Sequence, residues 1–176
     1  MNDLSSTILE TPRLRFRRLV PEDLDALFAL YRDPEVRQYF PEGTLTYEET
    51  QRELEWFLNG HPARPELGLW ATVLKATDQF IGRCGLLPWT IAERPEVEVA
   101  YLLDKRYWGQ GLGTEAAQAI LQYGFEQLGL SRLVCLVDPQ NVVSAKVATK
   151  IGMTLEGEME DELGPFLLFS INKLYK

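Results

Sequence analysis

A chain of 176 residues with 45% hydrophobic and 25% charged residues has the proportions of one soluble globular domain with a sizeable core. A formal net charge of −8 argues against a general nucleic-acid surface, which needs a basic patch or stripe. Two cysteines outside any CxxC pair and a single histidine, His61, argue against a zinc site, and no metal is expected.

Arg13 to Leu19 alternates basic with mostly apolar residues and predicts a half-buried strand. Pro21-Glu22-Asp23 opens a helix, because proline suits the first turn and the acids suit its positive end. Leu24, Leu27, Phe28 and Tyr31 form its apolar stripe, Asp33-Pro34 punctuates it, and a short element follows around Val36 to Phe40. A second helix spans Thr46 to Leu58, with Thr46 and Glu49 spaced as a capping box and Asn59-Gly60-His61-Pro62 as its stop. Leu69 to Leu74 and Phe80 to Leu87 read as an antiparallel hairpin around Thr77-Asp78-Gln79. Trp89 to Pro95 then reads as a link to a strand in which Val97, Val99, Tyr101 and Leu103 alternate with Glu96, Glu98, Ala100 and Leu102.

The run Tyr107-Trp108-Gly109-Gln110-Gly111-Leu112-Gly113-Thr114-Glu115-Ala116 joins that strand to a helix with Ala117, Ile120, Leu121, Gly124 and Leu128 on its core face, ended by Gly129. Glycine lets the backbone approach a ligand closely, and a helix start offers free N–H groups to an anion. Leu133 to Val137 is a continuous apolar run that suits a strand buried on both faces, so strand, helix and strand form a βαβ unit with a parallel pair. Asn141 caps a helix over Val142 to Ile151, which Gly152 closes. Met153 to Leu155 and Phe166 to Leu174 read as a last strand pair, with the acid-rich segment Glu156 to Glu162 between them. The predicted class is α/β, a single-domain mixed sheet with an antiparallel N-terminal half and a central parallel βαβ crossover.

Cys84 and Cys135 lie in apolar runs and read as buried thiols of a reducing compartment. Met1 to Glu10 lacks the basic start and apolar core of a secretion signal, and no run approaches the ~20 apolar residues of a membrane span, so a cytoplasmic location without membrane attachment is expected.

The glycine run is no P-loop, because GxxxxGK[ST] is absent. Gly111 to Ala116 matches the dinucleotide fingerprint GxGxx[GA] loosely, but Asp104 to Trp108 separates it from the strand, where a fingerprint glycine comes straight off. The chain instead resembles the GNAT superfamily of acetyl-coenzyme A-dependent N-acetyltransferases, and within it the branch of the bacterial ribosomal-protein N-terminal acetyltransferases. The segments that carry the resemblance come in family order: Glu10 to Arg17, Ile81 to Leu86, Glu98 to Leu103, Tyr107 to Ala116, and Asn141 to Ser144 with Lys150 to Met153. Trp108 stands where the superfamily usually has Gln or Arg, Ala100 where Gly is frequent, and Met153 where Phe is frequent; none of these removes a needed N–H or charge.

The resemblance implies an acyl-CoA N-acyltransferase fold and acetyl transfer from acetyl-CoA to an amine by direct attack, without a covalent enzyme intermediate. It implies that the N–H groups of Gln110, Gly111, Leu112, Gly113 and Thr114 hold the pyrophosphate, and that Leu102 and Leu103 offer backbone groups to the pantetheine arm. Glu98 matches a family glutamate that draws a proton from the amine; its other reading is a solvated strand charge, like Glu96. Ser144 matches a serine proposed to protonate the departing thiolate, or else is a small residue in a first helical turn. Asn141 caps its helix and can touch the coenzyme, and Lys146 meets a coenzyme phosphate or is simply solvated. Phe40 and Trp89 line the acceptor cleft or belong to the core. The acidic run borders the acceptor site or is a solvated loop. The acceptor is a peptide N-terminus or a small cationic amine, and a homodimer is an expectation from the family alone. The alternative function is a coenzyme A-binding module without turnover, because the glycine loop serves binding by itself; Glu98 and Ser144 discriminate the two.

Overall fold

Strand alternation and helical stripes combine into one mixed sheet with helices on both faces. The computed structural model describes residues 7–174; Met1 to Ser6, part of the segment read as lacking a secretion signal, lie outside the described residues. In chain order the elements are β1 (Thr7–Glu10), β2 (Leu14–Arg18), α1 (Leu24–Tyr31), α2 (Tyr47–Phe57), β3 (Gly68–Leu74), β4 (Gln79–Ile91), β5 (Arg94–Leu103), α3 (Leu112–Glu126), β6 (Arg132–Val137), α4 (Val142–Lys150), β7 (Thr154–Asp161) and β8 (Gly164–Asn172). The sheet order among the described residues is β1-β2-β3-β4-β5-β6-β8-β7. The pair β5–β6, bridged by α3, is parallel, and every other pair is antiparallel.

The predicted signals act locally as their chemistry requires. Thr46 accepts from the Glu49 N–H at 3.2 Å and Glu49 returns the bond to the Thr46 N–H at 2.7 Å, which starts α2. Pro21 opens a 3-10 turn over Pro21–Asp23 before α1 begins at Leu24. Gly124, inside α3, allows close approach to β6, because a Cβ there would lie 2.9 Å from Leu133 Cδ1.

Four expectations need correction. Residues 7–10 form an unpredicted edge strand, too short for alternation to declare itself. Residues 36–40 are turns, whose apolar side chains reflect packing under α1. Trp89 to Pro95 is no link: β4 runs on to Ile91, and Ala92 and Glu93, both at positive φ (47° and 64°), turn it directly into β5. The acid-rich segment is mostly strand β7, on the outer edge of the sheet, where charges discourage pairing with another chain.

The core has two halves divided by the sheet. α3 and α4 cover one face, packing Ala116, Ala117, Ile120 and Val147 against Ile81, Val97, Val99 and Leu103. α1 and α2 cover the other, packing Leu27, Leu30, Tyr31 and Leu54 against Leu69, Ala71, Ala100 and Leu102. Successive residues of β5 therefore serve different halves, as the pleat dictates.

Candidate active site

The site begins where β5 and β6 part. Their ladder pairs Glu98 with Val134 and goes no further. The closed end is clamped by charge: Arg132 Nε lies 3.1 Å from Glu96, and Arg132 Nη1 lies 2.8 Å from Glu156, which also accepts from Ser170 at 2.6 Å. Glu96 is thus a buried, paired carboxylate, not the solvated strand charge expected, because β6 brings Arg132 to it. Beyond Glu98, Cys135 Sγ reaches across the gap and donates to the Val99 carbonyl at 3.4 Å.

Ladder alternation decides which backbone groups of β5 face that gap. The Leu102 carbonyl points to β4, since a Cβ on Gly82 would lie 2.2 Å from it. The Leu103 carbonyl points the other way and accepts from Trp108 Nε1 at 2.9 Å. Tyr101 and Leu103 therefore turn their amides to the open side, while Leu102 supplies a buried side chain to the α1–α2 face.

Next to the gap lies the start of α3. Gly109 and Gly111 take φ values of +72° and +77°, and Gly111 is an N-cap with no side chain to satisfy the helix. The first intrahelical bond is Glu115 N–H to the Gly111 carbonyl at 3.0 Å, so the N–H groups of Leu112, Gly113 and Thr114 point outward without helical partners. A Cβ added at Gly109 or Gly113 would meet nothing within 4 Å. This exposed, uncapped helix start fits the diphosphate of a nucleotide-bearing coenzyme. The loop is braced from β1–β2: Arg13 Nη1 donates to the Gln110 carbonyl at 2.8 Å, and Arg13 Nε pairs with Glu115 at 2.6 Å, where Thr11 Oγ1 also donates at 2.6 Å. Sequence reading missed this brace, whose partners lie about a hundred positions apart.

Glu98 is half-buried on the α1–α2 face of β5, opposite Leu87. Burial lifts its carboxyl to about 7, opposed by the Trp89 Nε1–H bond at 2.6 Å, by the nearby Arg83 charge and by the Leu136 N–H. Trp89 stays 44% exposed beside it, and Phe40 packs with Leu87 and Leu102 in the same apolar cluster. On the opposite face, Tyr101 Oη lies 2.7 Å from Ser144 Oγ and 3.2 Å from the Ser144 carbonyl, joining β5 to the first turn of α4. Burial raises the Tyr101 phenol above its usual range, so it stays protonated at neutral pH. Tyr101 went unnoticed in sequence because it falls in an apolar stripe; its hydroxyl was the available signal. Asn141 Oδ1 accepts from the Ser144 N–H at 3.0 Å and sets that turn, as predicted. Lys146 is exposed on α4, at the rim of a shallow recess of about 320 Å³ with Val142, Ala145, Thr149 and Lys150. Cys84 and Cys135 are free and buried.

The acetyltransferase (GNAT) domain family matches residues 13–154. The chain is 35% identical over 150 residues to the uncharacterized protein YkkB of Bacillus subtilis, covering 85% of this chain and 86% of that one. It is 31% identical over 153 residues to the uncharacterized N-acetyltransferase p20 of Bacillus licheniformis, covering 87% and 85%. The crystal structure of a GNAT-family acetyltransferase from Bacillus anthracis superposes with a TM-score of 0.79 at 26% identity, covering 93% of this chain and 97% of that one.

Proposed function

This chain belongs to the GNAT acetyltransferase family and is an acetyl-CoA-dependent N-acetyltransferase, and from that premise we propose that it acetylates a primary amine by direct attack, without a covalent enzyme intermediate. One observation carries the reading: Glu98 and the Tyr101–Ser144 pair stand on opposite faces of β5, at the point where the β5–β6 ladder stops. A proton acceptor for the amine and a proton donor for the thiolate thus flank one gap from two sides.

Acetyl-CoA, when bound, supplies the acyl thioester. The backbone from Gln110 to Thr114 holds its diphosphate, Lys146 meets a phosphate, and Asn141 shapes the start of α4 alongside. The Tyr101 and Leu103 amides accept the thioester arm and stabilise the carbonyl oxygen as it gains charge. Glu98, ionised above about pH 7, takes the proton of the amine, which Phe40 and Trp89 guide in from the α1–α2 face. Ser144 returns a proton to the sulfur, with Tyr101 orienting its hydroxyl. The two free, buried thiols support a reducing, cytoplasmic setting. No helix among the described residues is long and apolar enough to cross a membrane.

The test is thiol release from acetyl-CoA against N-terminal peptides, polyamines and aminoglycosides. Release with one amine class supports the reading; a thermal shift with acetyl-CoA and no turnover with any amine favours a binding module instead. Ser144→Ala is expected to lower kcat about tenfold, less than the ~10²–10⁴ of a full acid–base group, because a thiol is a good leaving group. Arg13→Ala is expected to raise the KM for acetyl-CoA about fivefold with kcat nearly unchanged, since it frees the Gln110 carbonyl at roughly the value of one hydrogen bond. Steady-state kinetics check both; an Arg13→Ala enzyme with unaltered KM would remove the brace from the account.

A further inference from the structure

We infer that the amine acceptor carries a carboxylate, received by the paired guanidinium groups of Arg37 and Arg83; this rests on the transferase reading above. Both side chains are nearly lost to solvent, at 4% and 5% exposure, in a protein whose net charge is negative. Burying a guanidinium is costly unless its N–H groups are matched. Arg83 lies on β4 opposite Leu102, two pleats from Leu87, which faces Glu98; all four occupy the α1–α2 side of the sheet. Arg37 enters from the turn after α1 and converges on the same spot. Its guanidinium sits 4.1 Å from the Phe40 ring and 5.1 Å from the Tyr31 ring, and that of Arg83 sits 5.5 Å and 5.6 Å from the same two rings.

The hydrogen bonds do not match the donors. Arg37 gives Nε to the Gly43 carbonyl at 2.8 Å, and its Nη2 reaches only 3.7 Å toward Glu42, itself half exposed. Arg83 gives Nε to the Tyr31 hydroxyl at 2.9 Å, and that hydroxyl donates to Glu53. Neither arginine forms an ion pair with Glu53, and nothing among the described residues accepts from the terminal nitrogens of Arg83. Yet the one fully enclosed side-chain polar atom without a partner, among the described residues, is Thr72 Oγ1. The terminal nitrogens of Arg83 are therefore not fully enclosed, and the Phe40 ring lies beside both guanidinium groups. A planar guanidinium fork there, backed by a second positive charge, suits a carboxylate in bidentate geometry. It disfavours a polycationic amine, which would bring like charge against two buried cations. Because Phe40 touches both arginines and lies in the cluster next to Glu98, the acid and the reacting amine belong to one small molecule or one short peptide end.

The experiment compares acid-bearing acceptors with carboxylate-free amides by thiol release: free amino acids against their C-terminal amides (alanine against alaninamide), and C-terminally amidated peptides beginning Ser-Asp against Ser-Asn. The expected result is a kcat/KM about 50-fold higher for the acids than for the amides in one of the two arms, the arm naming amino acid or peptide as the source. Arg83→Lys, which keeps the charge and loses the fork, is expected to raise the KM for the acid about tenfold while the KM for acetyl-CoA holds. If Arg83→Lys fails to fold by circular dichroism, Arg37→Lys and the wild-type acid-to-amide ratio still decide. Turnover of amides or polyamines as good as that of the acids overturns the inference and leaves the transferase standing. Absence of turnover with every amine overturns both.

Discussion

Replacing Glu98 by glutamine is expected to lower kcat by about 10²–10⁴-fold while the affinity for acetyl-CoA stays within twofold. Glutamine keeps the shape and can still accept from Trp89, but it has no proton-accepting charge. The pH profile gives a sharper signature. With its carboxyl at about 7, Glu98 acts as the proposed base only after losing its proton, so under that proposal wild-type kcat/KM is expected to rise through neutral pH and level off above it. That limb should vanish in Glu98→Gln. The same shift predicts a stability effect. The folded-state value lies above the unfolded 4.5, so the neutral form is the one the fold prefers. Below about pH 4.5 the group is protonated in both states and contributes no penalty. Stability falls as pH rises from about 4.5 to 7, because the unfolded chain ionises freely there while the folded protein still holds its proton. Above 7 the folded protein carries the half-buried charge. Thermal melts at pH 5 and pH 8 should therefore show Glu98→Gln gaining on wild type at the higher pH. An unchanged kcat with an unchanged acid limb would move the base elsewhere.

The second large effect is expected at Gly113, and it separates folding from function. A Cβ there points into open space, and Gly113 has no positive φ, so Gly113→Asp meets no steric obstacle. An acid in the first turn suits the positive end of α3, so the melting temperature should hold or rise slightly. The carboxylate would nevertheless stand where the diphosphate is to be held. The expected outcome is a rise of about 100-fold in the Kd for acetyl-CoA, roughly 2.7 kcal/mol, measured by calorimetry. Gly111→Ala should behave in the opposite sense: at φ +77° it strains the backbone by about 1 kcal/mol, so stability falls together with binding. A stable Gly113→Asp protein that binds acetyl-CoA normally would take the anion site away from this loop.

Local chemistry was readable without the fold wherever a few neighbouring residues settle it. The Thr46–Glu49 box, the Asn141 cap and the glycine-to-helix junction each act within four or five positions, so spacing alone located them. The βαβ crossover followed from the order of its pieces. Glu98 was placed on the face away from Val97, Val99 and Tyr101 by alternation, and it lies there. Alternation could not say how deep that face is. The same reading made Glu96 a solvated charge, and only the arrival of Arg132 from the neighbouring strand turned it into a buried clamp.

The chain's own sequence determined its class, the helix starts and the glycine loop that opens α3, because these rest on backbone geometry and short-range hydrogen bonds. Tertiary structure alone decided the rest. It joined Arg13 to Glu115, Tyr101 to Ser144, and Arg37 to Arg83 through shared rings, and it turned the Leu102 carbonyl away from the gap. Each of these depends on distant segments meeting at a fixed register, and on burial that raises the Glu98 carboxyl only once β4 and β6 have closed around it. Pairing energies and desolvation belong to places in space, and a linear order of residues carries no distances between them.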